Sequence, residues 1–232
     1  MGWTRTWDSS CPRVYDSWEA DGKKWVIQDL PPEQDEEALA ILVEHLVRDE
    51  VLCQHSDVIN DLESVEGMKA FWRIYLSKRT TLACYAEENG NRKLAALNVC
   101  VVQCQDDDHK DEIIGKTWKN VYDVLTYVES RKNVYEYMGL DKVLYALGLV
   151  VLREFRGARL GSRMLSAREP LCRHLGIGGT STVFTGPASQ KSAERSGFET
   201  LAVVNMRELA DVGLKYPRDE TKEVKLMVKK YQ

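Results

Sequence analysis

Residues 143–165, VLYALGLVVLREFRGARLGSRML, carry the chemistry most readily read from this sequence: an apolar β-like run, a basic glycine-containing turn and the opening of an amphipathic helix. The turn is Arg156-Gly157-Ala158-Arg159-Leu160-Gly161, and Leu160, Met164, Leu165 and Leu171 then recur at helical spacing. A strand, a tight turn and a helix start together make an anion site. The first helical N–H groups lack intrahelical partners, and the helix dipole is positive there. Two common phosphate-binding turns begin the same way and neither is present, for there is no G-x-G-x-x-G and no G-x-x-x-x-G-K-[ST].

The turn resembles the acyl-CoA-binding signature of the GNAT N-acetyltransferase superfamily, an arginine or glutamine followed at fixed spacing by two glycines. Arg156 and Gly161 stand at the outer positions, and Arg159 stands where that family usually has its middle glycine. A glycine there lets the backbone approach phosphates without a Cβ in the way, whereas an arginine brings its own charge. Downstream, SQKSAERSGFE (residues 189–199) resembles the short helix and Gly-Phe corner that closes the acetyl-CoA site of these enzymes. With RDEVL (residues 48–52) after the first helix, nearly the whole chain is similar to the insect arylalkylamine N-acetyltransferases.

The resemblance implies a GNAT acyltransferase fold, an α/β architecture with a mixed, mostly antiparallel central sheet flanked by helices. It implies acetyl-CoA as cosubstrate and a small arylalkylamine or alkylamine as acceptor, with no metal. The general base of a K/R-D-E-P-L segment carries over to Glu50, with Val51 in place of the proline. Two assisting hydroxyls carry over to Thr185 and Ser189. The tyrosine that many GNAT enzymes use as general acid falls near Ala193, so that role is not transferred. Pyrophosphate is expected at the N–H groups of Ala158, Arg159, Leu160, Gly161 and Ser162, beside Arg156 and Gly157. The pantetheine arm is expected to pair with the strand at Leu149, Val150 and Val151 as if it were another strand.

The chemistry is consistent with these residue types. Only a neutral amine attacks a thioester, so a proton acceptor is needed, and an unperturbed carboxylate near pKa ~4.3 is a poor one. Burial beside Val47, Val51 and Leu52 would raise Glu50 toward working pH. The alternative is a helix-end glutamate in a salt bridge. A backbone N–H around Leu149 to Val151 is the expected donor to the tetrahedral oxyanion. Ser189 or Thr185 would orient the thioester or protonate the departing thiolate, or else serve only as a cap or turn hydroxyl. Without a Cys-His or Ser-His-Asp pattern, direct transfer through a ternary complex is favoured over a covalent enzyme intermediate. His45, on the first helix near Glu50, and His55, just after it, could assist proton removal, but each reads first as an ordinary surface or capped residue; His109 and His174 are given no role. Arg153, Arg163 and Arg168 are open choices for the CoA 3′-phosphate.

The elements that position these residues follow from periodicity. Residues 24–30 alternate like a strand, 33–47 and 63–78 read as helices, and 81–87 and 93–103 as strands joined at Asn89-Gly90. Residues 116–138 read as one aromatic-rich helix whose aromatics are expected to pack in the core, the alternative being that a minority of them line an amine pocket. Residues 180–184, 201–204 and 224–228 read as strands, with a short helix at 189–196. Residues 1–24 are expected to pack their tryptophans on a single GNAT domain over 25–232. The chain has 232 residues, 44% hydrophobic and 29% charged, ordinary for a globular protein. Its formal net charge of −4 argues against a general nucleic-acid binder. No apolar run reaches the roughly 20 residues of a membrane span. Cys11, Cys53, Cys84, Cys100, Cys104 and Cys172 lack metal spacing and read as reduced, mostly core thiols. Residues 106–112, DDDHKDE, read as a solvated loop. A cytoplasmic monomer is expected, partnered only by its two small substrates, without nucleic acid or membrane. The contrasting reading is a GNAT-fold acyl-CoA-binding protein without catalysis.

Overall fold

Strand-forming residues of the chain assemble one eight-stranded sheet in the order β1-β2-β3-β4-β5-β6-β8-β7. The structure is a computed structural model that describes residues 3–107 and 111–231; His109 and the middle of the acidic run lie outside them. The elements are β1 (Val14–Ala20), β2 (Lys23–Asp29), α1 (Asp35–Ile41), α2 (Val51–Ser56), α3 (Leu62–Ser77), β3 (Leu82–Glu88) and β4 (Asn91–Cys104). There follow α4 (Lys116–Glu129), α5 (Val134–Met138), β5 (Lys142–Val151), α6 (Leu160–Ser166), α7 (Arg168–Leu175) and β6 (Gly179–Phe184). The chain closes with α8 (Pro187–Arg195), β7 (Glu199–Asn205), α9 (Met206–Asp211) and β8 (Glu223–Lys230). Neighbouring strands are antiparallel except β5 and β6. The expected mixed, mostly antiparallel α/β fold is therefore present.

The period of two sorts side chains to the two faces. On β5, Tyr145, Leu147 and Val150 join the core beneath α1 to α4, whereas Leu144 and Ala146 join the core beneath α6 and α7. Two features of β5 shape everything around it. It pairs with β6 only at Leu144–Thr180 and Tyr145–Ser181, after which the two strands part. It also carries a bulge, with Leu147 and Gly148 opposite Val99, between the pairs Cys100–Ala146 and Asn98–Leu149. Gly148 sits there at φ +119°, and a Cβ on it would lie 3.2 Å from Leu46. Side chains hold the bulge from both faces: Trp72 Nε1 donates to Leu147 O at 3.1 Å and Asn98 Nδ2 donates to Gly148 O at 2.9 Å.

Several elements differ from the sequence reading. Residues 14–20 form an edge strand rather than only an aromatic segment, turned back by Asp21-Gly22 with both φ positive (52° and 73°). The first helix passes into a π-helical turn at Leu42–Val47 and stops before Glu50, which starts a new helix. The single helix expected over 116–138 is two, because the Asn133 side chain accepts from Tyr135 N and Glu136 N and caps α5. Among the described residues no helix is long and apolar enough to cross a membrane. None of the six cysteines is in a disulfide, and Cys53, Cys84, Cys100 and Cys172 are buried.

Glu129 ends α4 with Oε1 buried and without a partner. Burial pushes its carboxyl up to about 7, the Tyr145 hydroxyl pulls the other way, and nearby Asp111 adds to the rise. The folded chain thus holds this proton to higher pH than the unfolded chain. The stability it contributes is present below about pH 4 and is lost as pH rises to 7. Denaturant unfolding of Glu129→Gln is expected to match wild type near pH 4 and to show a gain of about 3 kcal/mol at pH 8.

Candidate active site

Where β5 and β6 part, a cavity of about 700 Å³ opens through the sheet. The turn after β5 borders one end of it, from Arg156 to Gly161. An apolar chamber of Met68, Trp72, Trp118, Val121, Leu125 and Leu147 borders the other. The chamber is positioned by α3 and α4, whose start is tied to α3: the Ser64 hydroxyl accepts from Thr117 N and Trp118 N. Of the aromatics expected over 116–138, Trp118 lines this cavity. Tyr122 packs on Phe71 and Trp118, and Tyr137 is exposed and bonds Glu199.

Glu50 lies at the mouth between these ends. It caps α2: Oε1 accepts from Leu52 N at 3.0 Å and Oε2 from Cys53 N at 2.7 Å. The Thr185 hydroxyl donates a short hydrogen bond to Oε1. Glu50 is half-buried, and donors rather than apolar walls hold its carboxylate. The salt-bridge alternative is not realised, because the neighbouring Asp49 takes the arginines instead. Ser189 borders the same opening, but its hydroxyl donates to Gly186 O at 2.9 Å and is not joined to Glu50. Two of the three expected catalytic side chains are thus in direct contact, and the third borders the same cavity.

The Arg156–Gly161 turn keeps the geometry that a glycine would give. Arg159 occupies the left-handed region at φ 57°, ψ 22°, at the start of α6. That conformation is strained for a residue with a Cβ, by about 1–2 kcal/mol. Arg156 Nε donates to Val151 O at 3.0 Å and its Nη2 meets Asp49 at 2.6 Å; Arg153 meets the same carboxylate at 2.5 Å. The Arg153 hydrogen bond, then that from Arg156, holds the Asp49 carboxyl down at about 2. Leu149, Val150, Val151, Gly157, Leu160 and Gly161 all border the cavity, whereas Ala158 and Ser162 do not.

Other expectations are sorted by position. His45 borders the cavity, while His55 faces Lys222 and Tyr216 away from it. Arg163 pairs with Asp16 and stacks on Trp18. Arg168 is fully buried, so it does not reach a 3′-phosphate at the surface. Asn98, Trp72 and Tyr145 also border the cavity, and so does Arg168, whose expected place was at a surface phosphate. Trp72 lies in the 63–78 stretch read as a helix, and no local signal marks Asn98.

No family profile matches the sequence, and no curated protein matches it. Solved structures do. A yellow fever mosquito protein assigned as arylalkylamine N-acetyltransferase 7 superposes with a TM-score of 0.92 at 29% identity, over 99% of both chains. Arylalkylamine N-acetyltransferase 2 of Aedes aegypti gives 0.76 at 18% identity, over 90% of this chain and 99% of that one. The Drosophila melanogaster polyamine N-acetyltransferase, which forms N-acetylagmatine, gives 0.71 at 18% identity, over 89% and 99%. At these identities the last two likenesses bear on the fold. The chain has the GNAT acetyltransferase fold in its insect arylalkylamine N-acetyltransferase-like form and is an acyltransferase of that type.

Proposed function

We propose that this protein transfers an acetyl group from acetyl-CoA directly to the primary amine of a small arylalkylamine or alkylamine, within a ternary complex. The observation that carries this reading is the Glu50–Thr185 pair at the mouth where the parted strands meet the apolar chamber. Pyrophosphate sits on the turn from Arg156 to Ser162, and the pantetheine arm runs along the open edge of β5. A backbone N–H of Leu149 to Val151 donates to the oxyanion. The amine enters from the aromatic chamber, so its apolar body is desolvated by Trp72 and Trp118 while its nitrogen meets the hydroxyl and carboxylate. Its proton passes through the Thr185 hydroxyl, whose own hydrogen is already directed at Glu50. Ser189 borders the same opening and orients the acyl donor.

Thiol release from acetyl-CoA with a panel of aryl and alkyl amines tests the reading. Glu50→Gln is expected to lower kcat by about 10²–10³, most severely near neutral pH, where the amine is protonated in bulk. Thr185→Val is expected to lower kcat about tenfold with calorimetric acetyl-CoA binding unchanged. Binding of acetyl-CoA without turnover of any amine would instead favour a binding protein.

The left-handed turn gives a separate expectation. Arg159→Gly preserves the backbone and is expected to bind acetyl-CoA within about threefold of wild type, a change below ~1 kcal/mol. Arg159→Val, β-branched at positive φ, is expected to weaken binding about tenfold and to cost about 1–2 kcal/mol in denaturant unfolding.

A further inference from the structure

Arg168 opens α7 fully buried, and its hydrogen bonds all run to neutral oxygens. Nε donates to Asn98 Oδ1 on β4 at 2.8 Å; Nη1 donates to Thr182 Oγ1 at 2.8 Å and Thr180 Oγ1 at 3.2 Å on β6. Nη2 has no partner. The adjacent carboxylate, Glu169, is turned to Arg173 and Lys229. The titratable groups near the guanidinium are neutral at physiological pH. Burial pushes the Cys100 thiol on β4 up to about 11, and it raises Cys172 on α7 and Tyr231 after β8 further. A buried cation without a counter-charge is strongly unfavourable. Such a group calls for a functional explanation.

The planar fork fixes where the free N–H lies. Nε reaches β4 and Nη1 reaches β6, so the guanidinium spans the underside of β5 between them, with Nη2 beneath that strand. Asn98, which takes Nε, also holds the carbonyl of the bulge residue Gly148. Arg168, Asn98 and Thr182 border the cavity where β5 and β6 part.

On the reading proposed above, on which this inference rests, the thioester lies at this level of β5. The amine nitrogen bonds to the acyl carbon and the carbonyl pair moves to oxygen. That pair returns as the C–S bond breaks, and sulfur leaves with the bonding electrons as a thiolate. The amine proton goes to Glu50. Neither hydroxyl at the mouth has a proton to spare for sulfur, since Thr185 directs its own to Glu50 and Ser189 to Gly186 O. We propose that Arg168 is the counter-charge for the departing CoA thiolate, a cationic donor beneath β5 that lets sulfur leave unprotonated. The thiolate takes its proton from solvent on release.

The test reads the thiol of bound CoA, without any amine. Ultraviolet thiolate absorbance of CoA is titrated free and bound to wild type, Arg168→Lys and Arg168→Met. The bound thiol is expected to titrate about one pH unit or more below free CoA in wild type, a tenfold change in its acidity. The shift should be partly kept by Arg168→Lys and lost in Arg168→Met. With acetyl-CoA and an amine, kcat should fall at least about tenfold in Arg168→Met while KM for acetyl-CoA changes little. Should Arg168→Met fail to fold, Thr182→Val removes one Nη1 anchor and is expected to shrink the shift.

Equal titration of free and wild-type-bound CoA, with amine acetylation intact, would overturn the proposal. Arg168 would then only brace β4 against β6, its free N–H met by a trapped water or the unpartnered Tyr231 hydroxyl. No CoA binding by wild type would overturn the acyl-CoA reading itself.

Discussion

The parting of β5 from β6 is the constraint on which the rest of the structure depends. Two adjacent parallel strands that separate leave backbone groups unpaired, and unpaired buried backbone is costly. Here four β5 carbonyls are met by side chains instead. Thr180 donates to Leu144 O at 2.6 Å and Trp72 to Leu147 O at 3.1 Å. Asn98 donates to Gly148 O at 2.9 Å and Arg156 to Val151 O at 3.0 Å. Thr180 is on β6, at the last stretch where the two strands pair, and the other three donors come from α3, β4 and the turn after β5, so beyond that point the opening is held without β6. A bulge at Gly148 lets Leu46 and Trp72 close on the strand where a side chain would keep them off. The cavity is a built feature of the sheet rather than a packing defect.

Charge is divided at the mouth between two consecutive residues. Asp49 faces the basic turn and pairs with Arg153 and Arg156, whereas Glu50 faces the first N–H groups of α2 and Thr185. The break between the π-helical turn and α2 makes this possible. In a continuous helix, Asp49 and Glu50 would project only about 100° apart, and the Glu50 side chain would not turn back onto the following N–H groups. The same helix start that serves as a cap thus holds a carboxylate at the cavity.

Much of this was legible in the sequence because it is local. The Arg156–Gly161 turn follows an apolar run and precedes a helical period, and each of those signals spans only a few residues. The N-cap position of Glu50 was not read: RDEVL was placed after the helix at 33–47, but no Ser, Thr, Asp or Asn stands at position 50 to mark a new helix start. The hairpin at Asp21-Gly22 carried a recognisable turn signal that the surrounding tryptophans masked. The buried place of Arg168, which the sequence offered only as one choice for the CoA 3′-phosphate, was illegible for a different reason. Its environment is made by Asn98, Thr180 and Thr182, on two strands far apart in the chain, and in sequence it is one more arginine in an amphipathic helix.

Seen across β5, the two charges oppose each other. The Glu50 carboxylate lies with α2 on one face of the sheet and the Arg168 guanidinium lies with α7 on the other. In the proposed reaction, acetyl transfer moves a proton one way, from the amine nitrogen to Glu50, and an electron pair the other way, onto sulfur. A fixed field of this direction favours both displacements in the transition state more than in the ground state, where neither charge has developed. It does so without reorganisation, because Glu50 is locked by two backbone N–H groups and a hydroxyl, and Arg168 by three neutral oxygens. Partnering Arg168 with a carboxylate would relieve its burial and cancel the field at the same point, which is a physical reason for its neighbours to be neutral.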